Sequence, residues 1–348
     1  MHDPSEAHQC RSRWSRRFAD MKVGVLQFFS WPDRKVPLPF VYQRALQRIE
    51  VMEHTGYDAV WLAEHHFTGY SVCPSVHLMA THIAARTQRL RIGTAVTLAA
   101  LYHPLRIAEE VALLDVLSDG RVNWGAGRGF DAAEFINFGV EPADSSERFR
   151  EAVDVVLAAW QSERLRHDGR FFHFDGVEVL PKPLQQPHPP TWVAATSPEA
   201  IAWAASRGLS ILMDPHSTHD EIARKRESYR TQLEGHGHSF AGRALPMARL
   251  MAIAPTDAEA EEVARRGARW TTGSYVKATS MREFRSDGAD FDPVEHYLNG
   301  VIIHGSPTRV VDQIQRLQEE MFLDYLMLAP LSERTFQLFT EEVLPKLG

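Results

Sequence analysis

The sequence predicts a single parallel (β/α)8 barrel with insertions at the C-terminal face of its strands. Three observations carry this expectation. Eight short apolar runs alternate with longer amphipathic segments, the runs are nearly continuous in apolar residues, and no Gly-x-Gly-x-x-Gly follows the first run. Parallel neighbours joined by right-handed crossovers require the intervening helices. Alternation alone fits an open doubly wound sheet equally well. The count of eight favours the barrel, and the missing glycine fingerprint argues against a dinucleotide-binding sheet. At 348 residues the chain is long for one domain, but barrels with insertions fill this range.

The elements follow in order. Residues 21–29 (MKVGVLQFF) read as the first strand and 41–55 as an amphipathic helix, with Ala45, Ile49 and Met52 at helical spacing and Gly56 as its stop. Residues 57–66 (YDAVWLAEHH) form the second strand and 75–87 the next helix. The third strand is 90–98, followed by a helix over 104–117 that opens on proline. Residues 121–129 (RVNWGAGRG) are the fourth strand, and 146–162 the fourth helix, which Ser146 could cap. A small hairpin is expected from 170–174 and 176–180. Strands at 191–195, 209–213 and 245–254 then alternate with helices at 198–207, 220–235 and 258–270. Residues 271–303 are irregular and long enough for an active-site insertion. A helix at 307–321, the eighth strand at 325–329 and a closing helix at 333–344 complete the chain.

Bulk composition narrows the function. Hydrophobic residues make up 44% and charged residues 24%, near the globular average, and such a chain buries a large core without disulfides or structural metal. The net charge of -7, with both signs interspersed, gives no footprint for nucleic acid. Cys10 and Cys73 are too few for a disulfide framework and lack metal-site spacing, so they read as free thiols in a reducing compartment. No apolar run approaches the roughly 20 residues that span a bilayer. Residues 1–20 carry four arginines and no apolar core of a secretory signal, so they are expected to be a disordered leader to a barrel domain at 21–348 in the cytoplasm.

In a barrel, chemistry sits where the strands end. The second strand ends Glu64-His65-His66, polar groups that are costly to bury unless paired. On a regular strand Glu64 and His66 share a side and His65 takes the other, so the three cannot ligate one metal. A hydrogen-bonded polar layer would account for the same residues. The fourth strand ends Gly125-Ala126-Gly127-Arg128-Gly129, where the backbone can approach a ligand closely beside a guanidinium fork suited to phosphate. The fifth ends Ala194-Ala195-Thr196-Ser197-Pro198 at a helix start, offering hydroxyls, amides and the positive dipole end. Simple N-capping by Thr196 or Ser197 explains that pattern too. Neither anion-suited end carries a Walker-type lysine, which fits a bound phosphate cofactor better than phosphoryl transfer.

At these residues the sequence resembles the bacterial luciferase-like flavin-dependent monooxygenases. The resemblance is carried by YDAVWLAEHHFT (57–68), RIGTAV and HPLRIAEEVALLDVLSDGRVNWGAGRG (within 91–129), WVAATSPEAIAWAASRG (192–208), SYVKAT (274–279) and GSPTRVVDQI (305–314). It implies a barrel that binds reduced FMN from a separate flavin reductase and uses O2, through a flavin C4a-hydroperoxide, to oxygenate a small organic substrate. It also implies a dimer across the helices after the early strands. Under it His65 is the catalytic histidine, a general acid or base titrating near neutrality, flanked by Glu64 and His66. Ala95-Val96 matches the position of a non-prolyl cis peptide against the flavin. Arg128 and Ser197 match phosphate ligands, with Ala195 and Thr196 beside them. Arg148 matches a second arginine once a one-residue gap is placed. Three departures stand out. Gly127 replaces a reactive cysteine, Thr196 replaces a glutamate, and the segment after Thr279 looks shorter than in luciferase, so light emission on a long-chain aldehyde is not expected.

Three rival readings fit parts of the same sequence. An F420-dependent oxidoreductase of the same superfamily would transfer hydride without oxygen. A non-catalytic flavin-binding partner subunit would have no need of His65 and Arg128. A metal-dependent barrel hydrolase, suggested by 17 histidines, needs a His-x-His pair at the end of the first strand, and residues 21–29 contain no histidine. The pair His236 and His238 falls in a glycine-rich loop after a helix. The organic substrate is not legible; Phe28, Phe29, Tyr70 and Trp124 could line a pocket or simply pack the core.

Overall fold

The structure, a computed structural model, describes residues 21–274 and 291–347. The expected leader at 1–20 and nearly all of the SYVKAT stretch lie outside the described residues. Twelve strands occur among those described: β1 Lys22–Gln27, β2 Ala59–Leu62, β3 Arg91–Thr94, β4 Thr97–Leu98, β5 Val122–Gly127, β6 Leu165–Asp168, β7 His173–Val177, β8 Thr191–Ala194, β9 Ser210–Leu212, β10 Met247–Ile253, β11 Ile303–Gly305 and β12 Tyr325–Pro330.

The result is an α/β fold built on a curled parallel sheet. Pairing runs in the order β11-β10-β12-β1-β2-β3-β5-β8-β9, with β4 beside β5. At one edge, β9 meets β10 through a single parallel bridge between Met213 and Met247, where Met213 N donates to Pro246 O at 3.0 Å and Ala248 N to Met213 O at 3.1 Å. The other two strands, β6 and β7, form a separate antiparallel hairpin.

The alternation of side chains along a strand sorts the core into two layers. On β2, Val60 and Leu62 pack outward under the helices, while Ala59 and Trp61, with Ala63 just beyond the strand, face the inside of the curl. Trp61 fills that interior, edge-on to Trp192 at 5.4 Å and Tyr325 at 5.9 Å, with Nε1 donating to Tyr325 OH at 3.1 Å. A Cβ on Gly93 would stand 2.3 Å from the indole, so the neighbouring strand has to carry glycine there. Truncating Trp61 to alanine would cost about 3–5 kcal/mol. Trp124 and Phe29 pack in the outer layer, so two of the four residues considered as pocket lining are core.

Local signals place most helices as expected. Ser75 Oγ caps Val76–Ala84 by accepting from Leu78 N at 3.2 Å, and prolines open Pro104–Leu117, Pro198–Ser206 and Pro307–Met321. Several details differ. β2 stops at Leu62, so Glu64-His65-His66 belong to the following loop rather than a strand. The third run is broken into β3 and β4 at Ala95-Val96. The helix over Ser145–Gln161 starts from Asp144, so Ser146 does not cap it. The hairpin pairs Leu165–Asp168 with His173–Val177, earlier than expected. Residues 132–137 form a six-residue helix, too short to leave a periodic signal, started by Asp131 accepting from Ala133 N at 2.8 Å. Within the stretch 271–303 expected to be irregular, residues 271–274 end the helix Asp257–Ser274, a helix Pro293–Gly300 follows whose Asp292-Pro293 start pair was a readable signal, and β11 comes next. Among the described residues no helix is long and apolar enough to cross a membrane.

Candidate active site

The ends of β2, β3, β5, β8 and β9 converge on one cavity of about 570 Å³. Its wall includes Glu64, His65, Ala95, Val96, Arg128, Thr196 and Ser197. Ala195 is buried behind that wall.

Glu64 is the anchor of the β2 end. It is 2% exposed, and its Oε1 accepts from Tyr102 OH at 2.6 Å and pairs with His66 Nε2 at 3.0 Å, while Oε2 accepts from Leu98 N at 3.1 Å. A buried carboxylate held this way satisfies its lone pairs. Glu64 and His66 are therefore partners, and His65 is directed elsewhere, as the alternation argument required. The backbone turns sharply just beyond, with Phe67 at a φ of 58°, a conformation uncommon for a bulky residue. Glu134, from the short helix that sequence reasoning missed, accepts from His66 N at 2.9 Å. Burial pushes its carboxyl up to about 7.

His65 sits in an aromatic box. Its ring stacks on Phe28 at 6.4 Å and meets Tyr70 at 5.2 Å and Phe130 at 6.1 Å edge-on. Burial first, then the neighbouring His216 and His66, push its pKa down to about 3. The expected titration near neutrality therefore does not hold; the imidazole is neutral at pH 7 because its surroundings are apolar. A neutral ring can donate from one nitrogen and accept at the other.

Beside it, the Ala95-Val96 peptide is cis. The glycines of β5 make room for this turn. A Cβ on Gly127 would lie 2.3 Å from Val96 Cγ2, and one on Gly125 would lie 2.0 Å from Thr94 O. No cysteine, nor any other side chain, could occupy Gly127 without displacing Val96.

The opposite end of the cavity gathers cations and a helix start. Arg128 is exposed, with Nη1 donating to Ser146 Oγ at 3.4 Å. Ser197 caps its own helix, accepting from Ala200 N at 3.2 Å, and stays exposed. The capping reading therefore holds, and the hydroxyl hydrogen is turned to the Glu199 carboxylate, from which a bound anion would have to draw it. Arg148 faces away. Its Nε donates to Ala100 O at 3.0 Å and its guanidinium lies 4.8 Å over Phe172. Arg150 lines the cavity instead, with its guanidinium 5.8 Å from the Trp203 ring. Helical spacing held the clue, because Ser146 and Arg150 are four apart and share a face whereas Arg148 does not. Glu199 also lines this end, its carboxyl lowered by its own backbone amide and by the Ser197 hydroxyl.

The far wall was not anticipated. Asp214 accepts from Ser217 N at 2.7 Å, Ser217 Oγ at 2.9 Å and Lys225 Nζ at 3.1 Å, and Tyr297 OH lies 2.9 Å from His216 Nδ1. These residues follow β9, a three-residue strand whose end carries no glycine or proline pattern to mark it beyond Pro215.

Residues 21–324 match the family described as luciferase-like monooxygenase. The chain belongs to that family. Among the luciferase-like relatives, the oxygenase component of a flavin-dependent trigonelline monooxygenase from Acinetobacter baylyi is 30% identical over 187 residues, 53% of this chain and 52% of its own length. The chain spans about half the length of the curated relatives it matches first. The crystal structure of monooxygenase RslO1 from Streptomyces bottropensis superposes with a TM-score of 0.82 at 26% identity, covering 94% of this chain and all of that one. The FMN complex of the oxygenating constituent of 3,6-diketocamphane monooxygenase from Pseudomonas putida shares the fold, with a TM-score of 0.79 at 20% identity, covering 94% of this chain and 99% of that one. An F420-dependent secondary alcohol dehydrogenase shares it as well, with a TM-score of 0.73 at 18% identity and the same coverage.

Proposed function

We propose that this chain is the oxygenase component of a two-component monooxygenase, taking reduced FMN from a separate reductase and using O2 to oxygenate a small organic substrate. The observation that carries the reading is the convergence on one cavity of a neutral histidine, a cis Ala95-Val96 turn and a cationic cup made by Arg128, Arg150 and Ser197. The cavity fits the cofactor, because Ala95, Val96 and Gly127 give it a wall of small residues and the far end suits a phosphate. Bound reduced FMN would supply the electrons that activate O2. Arg128, Arg150 and the Ser197 hydroxyl would hold the phosphate, while Ala95 and Val96 support the ring system. The aromatic box around His65 excludes water, and its neutral imidazole would donate or accept one hydrogen bond at the reacting end. Glu64 positions this segment through Tyr102, His66 and Leu98 without facing the reaction itself.

Two further proposals go with this reading. The bridge at Met213–Met247 closes the curl into an eight-stranded barrel of β1, β2, β3, β5, β8, β9, β10 and β12. A second copy of the chain covers Leu78, Leu113, Val116 and Leu117, which lie exposed on the helices Val76–Ala84 and Pro104–Leu117. Sedimentation giving a monomer would refute the dimer.

The deciding experiment is anaerobic titration of the purified protein with reduced FMN, followed by mixing with oxygen. Tight binding and a transient absorbing species whose lifetime shortens in His65→Ala would support the reading. Binding of F420 in place of FMN would overturn it in favour of hydride transfer.

A further inference from the structure

A second cavity of about 610 Å³ opens on the other side of Phe28, between the ends of β1 and β12 and the helices Leu38–Glu53 and Asp257–Ser274. It shares Leu26 and Phe28 with the first cavity, and Tyr70 in its wall meets His65 edge-on at 5.2 Å. A molecule held there would border the aromatic box around His65.

Among the described residues the charges of this wall do not balance. Arg44, Arg48 and Arg266 line it, against Asp33 and Glu333. Asp33 pairs with Lys35 at 2.7 Å, and Glu333 pairs with Arg48 at 2.8 Å. Among the described residues, Arg44 and Arg266 have no carboxylate within ion-pair distance. They stand one on each of two facing helices. A second, independent mark is Gln27, which is 3% exposed and lines the same cavity. Its Nε2 donates to Phe28 O, while its Oε1 is buried with no hydrogen-bond partner among the described residues. A buried acceptor left unpaired costs free energy that a donor on a ligand would recover. Trp270 and Phe28 supply aromatic walls, and the volume is that of a small-molecule site.

We infer that this second cavity is the organic-substrate site and that it takes an aromatic acid: a carboxylate between Arg44 and Arg266, a ring against Phe28 and Trp270, and a hydroxyl or amino donor to Gln27 Oε1. Arginine forks on a carboxylate give direction as well as attraction, so the reacting carbon would be turned toward Phe28 and His65. The inference rests on the monooxygenase reading above, since it assigns the neighbouring cavity to FMN.

The test compares two probes that differ only in charge, 4-hydroxybenzoate and 4-hydroxybenzamide, titrated calorimetrically into the full-length protein with and without saturating FMN. The expected result is at least tenfold tighter binding of the acid, unaffected by FMN, with the preference abolished in the Arg44→Gln/Arg266→Gln variant while its FMN affinity is unchanged. Should the double variant lose its thermal transition, Arg266→Gln alone, at an exposed position, is expected to reduce the preference about threefold. Equal binding of acid and amide, absence of acid binding, or a preference that survives in the variants would overturn the inference. Displacement of the acid by FMN would place it in the first cavity and overturn it too. Failure of FMN itself to bind in the same samples would instead sink the monooxygenase reading, so the two failures are separable.

Discussion

Replacing His65 with glutamine removes an imidazole that burial holds far from its ordinary titration. In the unfolded chain its pKa is near the ordinary 6.5, and in the folded protein it is pushed down to about 3. Because the folded-state value is depressed, acid protonates the unfolded chain first. The contribution of His65 is therefore complete above the ordinary value and is lost as pH falls from 6.5 toward 3. Between pH of about 7.5 and about 5 the loss is about 2 kcal/mol. With an unfolding entropy of roughly 2 cal/mol/K per residue, that amounts to about 3 °C in Tm for a chain of this length. Glu134 acts in the opposite sense. Its carboxyl is raised to about 7 from 4.5, so the folded state gains stability as pH drops through that window. The wild-type slope is thus a sum of opposing effects, and only a difference between proteins isolates the histidine. Differential scanning at the two pH values on wild type and His65→Gln should show the wild type losing about 3 °C more than the variant on acidification. Parallel losses would refute the claim that apolar burial keeps this ring neutral, whatever the offset between the two proteins.

Three other outcomes are expected. Arg128→Ala and Arg150→Ala should each weaken reduced-FMN binding about tenfold or more, as loss of a charge-assisted bond to phosphate would, whereas Arg148→Ala should lower Tm and leave the FMN dissociation constant within about twofold. Flavin fluorescence titration and a melting curve on the same three variants check this. Gly127→Ala would bring a methyl 2.3 Å from Val96 Cγ2 and should cost roughly 1–3 kcal/mol of stability together with FMN affinity; retained affinity would mean that the Ala95-Val96 turn does not support the cofactor. Glu199→Gln removes an exposed negative charge from the phosphate end and should tighten FMN binding about two- to fivefold at low salt, with the gain fading as ionic strength rises.

Most strand positions, the order of helices, the glycine-bearing end of β5 and the hydroxyl-bearing end of β8 were legible because each rests on local chemistry, whereas the split of the third run into β3 and β4 and the short β11 were not. Alternation alone placed Glu64 and His66 on one side and His65 on the other, and the first two do pair, even though β2 ends before them. What failed needed distance in space. Arg148 matched a second arginine only with a one-residue gap, and it does not line the cavity; the helix periodicity that brings Arg150 beside Ser146 is the better guide. The neutrality of His65 could not be read at all, since it depends on Phe28, Tyr70 and Phe130 arriving from three separate loops. Asp214 and His216 were missed for the same reason, with Lys225 and Tyr297 completing their network from 11 and 81 residues away.

The placement of charge suggests how one site could serve both a flavin and an acid. The Glu64 carboxyl is engaged locally by Tyr102, His66 and Leu98, so its oxygens are already partnered and not offered to a ligand. Next to it, the histidine is kept uncharged and boxed by rings. The cavity-lining arginines that have no carboxylate at ion-pair distance among the described residues then fall into two groups on either side of this centre, Arg128 and Arg150 at one end and Arg44 with Arg266 at the other. An anionic cofactor and an anionic substrate would otherwise repel each other across a low-dielectric gap, where a like-charge contact costs far more than in water. Separate cationic ends pull the two charged tails apart, while Leu26 and Phe28, which line both cavities, mark where the uncharged bodies would meet. On this argument a double cycle of Arg128→Ala and Arg266→Gln should be additive in binding free energy, each mutation weakening only its own ligand; strong coupling would mean that both anions compete for one end.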